Sequence, residues 1–224
     1  MALSSPRVAV LDYGAANLVS IGQGLVAAGA HVSVVANPDA LSGADALVVP
    51  GVGAAAPAMA HLRDQGLAEA LREWVAAGRP LLGICLGFQL LFESSDEGDA
   101  ATLGLLPGRV VALEDAPTLP HTGWNAVRYA RPHPLFAGVP DGSYFYFVHS
   151  YAPLPAEVGD VLATSDHGRP FVCAAARGKL IGLQFHPEKS AAAGIRVLSN
   201  FLAIATGQNP ATEPGTAERR PRRP

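Results

Sequence analysis

The sequence predicts an α/β fold: a mostly parallel central sheet flanked by helices, with a mixed or antiparallel C-terminal portion. Three observations predict it. Strand-length apolar runs alternate with helix-spaced segments through the first half of the chain, the pattern of a parallel sheet covered on both faces. From Val110 onward the runs shorten and follow one another through turns. The chain has 224 residues, 49% of them apolar, which suits one sizeable core rather than two small ones.

Taken in order, residues 7–11 (RVAVL) form an apolar run of strand length that stops at Asp12-Tyr13-Gly14. Residues 17–28 have helical spacing and are closed by Gly29, a C-terminal stop signal. Strands are expected at 31–35 and 46–49, the latter ending in Pro50-Gly51-Val52-Gly53. Residues 58–77 read as one helix closed by Gly78, residues 80–84 as a fourth strand, and residues 86–93 as the helix after it. Shorter strands are expected at 110–113, 126–129, 143–148, 160–165, 171–177 and 180–184, and a last helix at 191–205. No repeat is visible. Residues 1–207 read as one domain. Residues 208–224 carry Pro, Gly, Thr and Glu and end in Arg219, Arg220, Arg222 and Arg223. With almost nothing apolar to bury, they are expected to be a disordered tail, a solvated end rather than an electrostatic contact.

A net charge of −3 gives no footprint for nucleic acid or an anionic membrane. No apolar run approaches the roughly 20 residues of a membrane span. Cys85 and Cys173 are the only cysteines, too few for a disulfide framework and in keeping with a reducing compartment. No basic segment followed by an apolar stretch opens the chain, so no signal peptide is read and the expected location is the cytoplasm.

Chemistry concentrates in two motifs. Gly83-Ile84-Cys85-Leu86-Gly87 follows a strand and opens a helix, the arrangement of a nucleophile elbow with Cys for Ser. Its glycines permit a sharp turn that lifts the thiol to a helix N-terminus, where the dipole and a nearby imidazolium favour thiolate. A buried core cysteine after a strand is the plainer alternative. About a hundred residues on, His186-Pro187-Glu188 offers a base and its orienting carboxylate. On an extended segment the two side chains share a face, Pro187 keeps His186 extended, and Glu188 fixes the imidazole tautomer. The loop Gly51-Val52-Gly53 ends a strand on the ligand edge of such a sheet. Its N–H groups, with that of Leu86, are candidates to hold an oxyanion, although a plain β–α loop reads equally from these residues alone. The chain shows no zinc-spaced Cys/His cluster and no Gly-x-Gly-x-x-Gly after the first strand, so neither a metal nor an organic cofactor is expected.

Gly83-Ile84-Cys85-Leu86-Gly87-Phe88-Gln89 and His186-Pro187-Glu188 resemble the two signatures of the class I (triad) glutamine amidotransferases, over residues 8–205. Asp12-Tyr13-Gly14 with Asn17-Leu18, Pro50-Gly51-Val52-Gly53, His121-Thr122-Gly123-Trp124-Asn125, Tyr146-Phe147-Val148-His149-Ser150-Tyr151 and Gln184-Phe185-His186-Pro187-Glu188-Lys189-Ser190 are most similar to one branch, the glutaminase subunits of imidazole glycerol phosphate synthase. Ala16 stands where Gly is more usual, and Phe88 where Met is; neither is a triad position.

The resemblance implies Cys85 as nucleophile, His186 as base and Glu188 as its partner. It implies L-glutamine as substrate, with Gln89, Glu97, Ser150 and Tyr151 at the binding positions. Asn17, Trp124, Tyr146 and Lys189 match positions that face a (β/α)₈-barrel cyclase subunit. That partner takes the ammonia and makes imidazole glycerol phosphate and AICAR from the phosphoribulosyl-formimino-AICAR nucleotide. Plainer readings stand beside these: a solvated loop carboxylate for Glu97, core packing for Trp124 and Tyr146, and a surface lysine for Lys189. The rival functions are the glutaminase subunit of an anthranilate or aminodeoxychorismate synthase, a non-catalytic regulatory subunit, and a cysteine hydrolase acting on peptides.

Overall fold

The apolar runs of the first half become adjacent strands of one eight-stranded sheet. The computed structural model describes residues 5–14, 17–208 and 210. Ala16 and nearly all of the expected tail lie outside the described residues. In chain order the elements begin β1 (Arg7–Leu11), α1 (Leu18–Ala27), β2 (His31–Val35), β3 (Ala46–Gly51), α2 (Ala55–Asp64), α3 (Leu67–Ala76), β4 (Leu81–Cys85) and the one-turn α4 (Leu86–Gln89). They continue with β5 (Ser94–Ser95), β6 (Ala100–Ala101), β7 (Gly108–Ala112), β8 (His121–Ala126), β9 (Arg128–Tyr129), β10 (Tyr144–His149), β11 (Tyr151–Pro155), β12 (Val161–Asp166), β13 (Pro170–Arg177), β14 (Leu180–Leu183) and α5 (Ala191–Ala205).

The large sheet runs β2-β1-β3-β4-β14-β13-β12-β9. From β2 to β14 neighbouring strands are parallel; β13, β12 and β9 continue it antiparallel. Period-two alternation sorts the side chains to two faces. Val8, Val10, Val48, Leu82 and Ile84 meet Ile21 and Leu25 of α1 and Val197 and Phe201 of α5. Ala9, Leu11, Leu47, Val49 and Leu81 meet Met59 and Leu62 of α2 and Leu71 and Trp74 of α3. Both faces are covered, which is why the parallel strands are almost purely apolar. Two small sheets, β10-β8 and β11-β7-β5-β6, lie outside the main one.

The structure corrects several expectations; the strand expected at 126–129 is divided between the end of β8 and β9, and β5, β6 and most of β8 are additions. The helix expected over 58–77 is two helices, because Gly66 takes a left-handed conformation (φ 69°) and breaks the ladder between α2 and α3. The helix expected over 86–93 stops at Gln89. The carbonyls of Leu90, Leu91 and Phe92 accept N–H groups of Leu103, Leu105 and Gly104 instead of continuing the helix. The strand β11 is an addition, since Pro153 and Pro155 argue against one in the sequence; it pairs only with β7, and an edge strand tolerates proline. No helix among the described residues is long and apolar enough to cross a membrane.

The turn from β4 into α4 is packed against backbone. A Cβ at Gly87 would overlap the backbone carbonyl of Val49 on the neighbouring strand. Gly22, inside α1, has open surroundings, with only Val32 Cγ1 at 4.0 Å. We expect Gly87→Ala to cost about 3 kcal/mol or more, as overpacking against immovable backbone does. Gly22→Ala should stabilise by about 0.5–1 kcal/mol and raise Tm by roughly 2–3 °C. Thermal denaturation of both variants followed by circular dichroism checks the pair.

Candidate active site

Cys85 ends β4 with φ 54° and ψ −113°, a backbone conformation that side chains rarely adopt. The strand must turn into α4 within one residue, and Cys85 absorbs the bend. The adjacent strands deliver the other groups. In register, Gly51 of β3 lies beside Cys85 and Leu183 of β14 beside Ile84. The β3 loop and the segment after β14 therefore both arrive at the thiol. This is the C-terminal edge of the parallel strands, where open α/β sheets bind ligands.

Beyond β14, Gln184 and His186 point to the thiol side while Phe185 between them is fully buried in the core. The Gln184 amide donates to Cys85 Sγ at 3.8 Å, and the thiol approaches the Val148 carbonyl at 3.7 Å. His186 is pinned to β10 by its N–H on the Tyr146 carbonyl (2.9 Å). Its Nδ1 lies 2.8 Å from Glu188 Oε1, a carboxylate whose side chain is only 1% exposed. The alternate-face expectation for this pair needs correction. Pro187–Lys189 is a 3₁₀ turn, not an extended run, and Glu188 swings under the ring because that turn doubles the chain back. Ser190 locks it, donating to the His186 carbonyl at 2.6 Å and accepting the Tyr146 N–H at 3.0 Å.

His186 Nε2 is buried with no hydrogen bond of regular geometry. Burial alone would lower the imidazole, but the adjacent Cys85 and Glu188 outweigh it and raise its pKa from 6.5 to about 9. The stabilisation from this pair is full below about pH 6.5 and is lost as pH rises through about 9. The dipole contribution expected at Cys85 shrinks, since α4 is one turn long.

Over the thiol lies a cavity of about 250 Å³, lined by Val52, Gly53, Leu86, Gln89, Glu97 and the backbone from Val148 to Tyr151. Leu86 opens α4, so its N–H has no partner within the helix. Val52 is exposed, and Gly53, at φ 95°, has nothing near its absent Cβ. Gly51 differs: a Cβ there would come within 2.5 Å of the Tyr13 hydroxyl, which itself donates to the Pro50 carbonyl at 2.6 Å. A side chain is therefore excluded at Gly51, beneath the cavity, by packing, whereas the surroundings of Gly53 are open.

All four expected substrate positions, Gln89, Glu97, Ser150 and Tyr151, line the cavity. Two have further duties. The Gln89 amide nitrogen donates to the Tyr151 carbonyl (2.9 Å) and to Gln184 Oε1 (3.0 Å), so it braces the wall rather than reaching inward. Glu97 Oε2 accepts the Ala55 N–H (3.0 Å), capping α2, which has no side-chain cap of its own at Ala54. Of the expected docking residues, Trp124 and Tyr146 face each other across β8 and β10, ring centroids 6.3 Å apart, with Lys189 Nζ 5.7 Å from the Tyr146 ring. Trp124 is 52% exposed, which removes the core-packing reading for it. Asn17 stands apart, capping α1 through the Ser20 N–H at 3.3 Å. Sequence reasoning misses Gln184 and Ser190 as site residues; the alternation Gln184, Phe185, His186 is the available signal for the first.

The family model for glutamine amidotransferase class-I matches residues 9–205. A Methylococcus capsulatus protein named imidazole glycerol phosphate synthase subunit HisH is 50% identical over 207 residues, covering 87% of this chain and 95% of that one. Proteins of the same name from Synechococcus elongatus and Moorella thermoacetica are each 49% identical, covering 92% and 87% of this chain and 97% and 93% of theirs. Among solved structures, PurLQS from Thermotoga maritima superposes with a TM-score of 0.72 at 20% identity, covering 88% of this chain and 98% of that one. A putative GMP synthase subunit from Thermoplasma acidophilum gives a TM-score of 0.67 at 21% identity, covering 91% and 95%. These two likenesses bear on the fold alone. By its motifs, its fold and the match over nearly all of its described residues, the chain belongs to the class I glutamine amidotransferase family.

Proposed function

We propose that this chain is the glutaminase subunit of an imidazole glycerol phosphate synthase, hydrolysing L-glutamine and passing ammonia to a (β/α)₈-barrel cyclase subunit. The observation that carries the reading is the buried set of Cys85, His186 and Glu188, whose Cys85 opens into an amino-acid-sized cavity. Relatives of about half identity bearing that subunit's name support it. The relatives' name also weighs against the anthranilate-type alternative, and the intact triad against a regulatory subunit.

In the proposed mechanism the Cys85 thiolate attacks the side-chain carbonyl carbon of glutamine. The oxyanion that forms is held by the Leu86 N–H and by the Val52-Gly53 backbone. Collapse expels the amide nitrogen, which takes a proton from the His186 imidazolium and leaves as ammonia. Neutral His186 then takes a proton from water, whose oxygen attacks the thioester. Glutamate leaves and the thiol proton returns to the Cys85–His186 pair. Glu188 holds the ring so that Nε2 faces the sulfur. The exposed Trp124 with Tyr146 and Lys189 gives the cyclase an aromatic and cationic docking face beside the Pro187–Lys189 turn. No cofactor or metal enters any step.

Cys85→Ala should abolish glutamine hydrolysis and Cys173→Ala should largely spare it, because Cys173 is fully buried in the β13 core, where burial pushes its thiol far up. Equal loss in two folded variants, read by glutamate release, would reject the nucleophile. Glu188→Gln removes one of the charges that hold His186 near pKa 9. The alkaline limb of the pH–rate profile should move to lower pH and kcat should fall by about 10²-fold or more. An unmoved limb would separate Glu188 from the imidazole. Turnover measured for the chain alone, with cyclase, and with cyclase plus nucleotide should be slow, intermediate and fast. Such activation requires the Val52-Gly53 backbone to reorient and complete the oxyanion site only when the partner docks, and full activity of the chain alone would refute that gating.

A further inference from the structure

Two buried histidines outside the triad form a hydrogen-bonded pair against the cavity wall. His121 on β8 and His149 at the end of β10 are 4% and 6% exposed and lie opposite each other in the hairpin register. His149 Nδ1 is 2.8 Å from the Tyr151 carbonyl. A carbonyl only accepts, so Nδ1 carries the hydrogen and, in the neutral ring, Nε2 is an acceptor. His121 Nδ1, 3.0 Å from that Nε2, must therefore be the donor. This leaves His121 Nε2 as an acceptor, and the Asn125 amide nitrogen meets it at 3.2 Å. The Asn125 orientation is fixed independently: its oxygen accepts the Ala126 N–H (2.8 Å) and its nitrogen donates to the Asp166 carbonyl (2.6 Å). Every bond from Asn125 to Tyr151 thus points one way. The Tyr151 carbonyl also receives the Gln89 amide from the opposite side at 2.9 Å.

We infer that His121 is a positioning residue for glutamine binding: through His149 it fixes the Tyr151 carbonyl and so the Ser150-Tyr151 wall of the cavity. The inference rests on the glutaminase reading and adds to it a residue that does not itself line the cavity. Ser150 is the joint where the chain leaves the β10-β8 sheet and enters the β11-β7 sheet; its own carbonyl accepts the Leu113 N–H (2.9 Å) on the β7 side, and the histidine pair holds the next carbonyl, that of Tyr151. Burial lowers His121 to about 4 and His149 to about 3, so both rings are neutral, as the one-way chain requires. Ring packing alone does not explain an imidazole here. His121 stacks on Phe147 and His167, with centroids at 5.0 Å and 4.1 Å, and a phenyl ring would stack equally well.

The test uses the full chain and an electrophilic chloroketone analogue of glutamine, with saturation labelling of Cys85 giving a half-saturating concentration and a maximal rate. His121→Phe keeps the stack and removes the donor. It should raise the half-saturating concentration about tenfold, with the maximal rate within about threefold and unchanged alkylation of Cys85 by iodoacetamide. His121→Asn, whose amide nitrogen falls near the Nδ1 position, should stay close to wild type. Wild-type saturation in His121→Phe would overturn the inference. If His121→Phe does not fold, His121→Asn is compared with His121→Gln, whose nitrogen falls near Nε2 instead; equal half-saturating concentrations for these two would overturn it. Failure of the wild type to label saturably even with cyclase and its nucleotide bound would overturn the glutaminase reading itself, and this inference with it.

Discussion

The left-handed backbone at Cys85 is held from three sides, and the site is arranged around it. β3 pairs with β4 through Cys85 and β14 through Ile84, and Gly87 presses directly against the Val49 carbonyl, so the chain has no room to relax into an ordinary strand end. With the bend fixed, the Leu86 N–H has no partner within α4 and the β3 loop lies beside the thiol. Strain at this residue persists because the surrounding sheet over-determines it.

Charge at the site is decided by partners more than by depth. His149 and His186 are both buried, yet their imidazoles move in opposite directions, to about 3 and about 9. His149 faces a carbonyl and another neutral ring; His186 faces Glu188 and Cys85. Burial disfavours the cation in both, and only His186 has negative neighbours that reverse the outcome. The same residue type thus supplies a fixed one-way hydrogen-bond chain on one side of the cavity and, in the proposed reaction, a proton carrier on the other.

Much of this is legible in the sequence, for identifiable reasons. The parallel strands are buried on both faces, so β1, β3 and β4 stand out as pure apolar runs. The elbow and the His-Pro-Glu segment are local motifs that a reader of residues can place. What stays hidden depends on distant partners. The helix after the elbow ends early because residues 103–105 capture its carbonyls, and nothing near Leu90 announces that. Gln89 is recognisable as a site residue, but the direction of its amide follows from Gln184 and Tyr151, far along the chain. The apolar pattern runs unbroken across Gly66, so it reads as one helix where two exist. His121 and His149 become partners only once the β8–β10 register is known.

The insertion of β14 between β4 and β13 has a consequence for the chain as it is made. Synthesis delivers Cys85 about a hundred residues before His186 and Glu188. Until β14 has slid into its slot, the thiol has no imidazole beside it. The fold therefore acts as a delay: the reactive sulfur is armed only when nearly the whole domain has emerged and the central sheet has closed. On the proposed triad, a nascent or half-folded chain lacks the set that would consume glutamine.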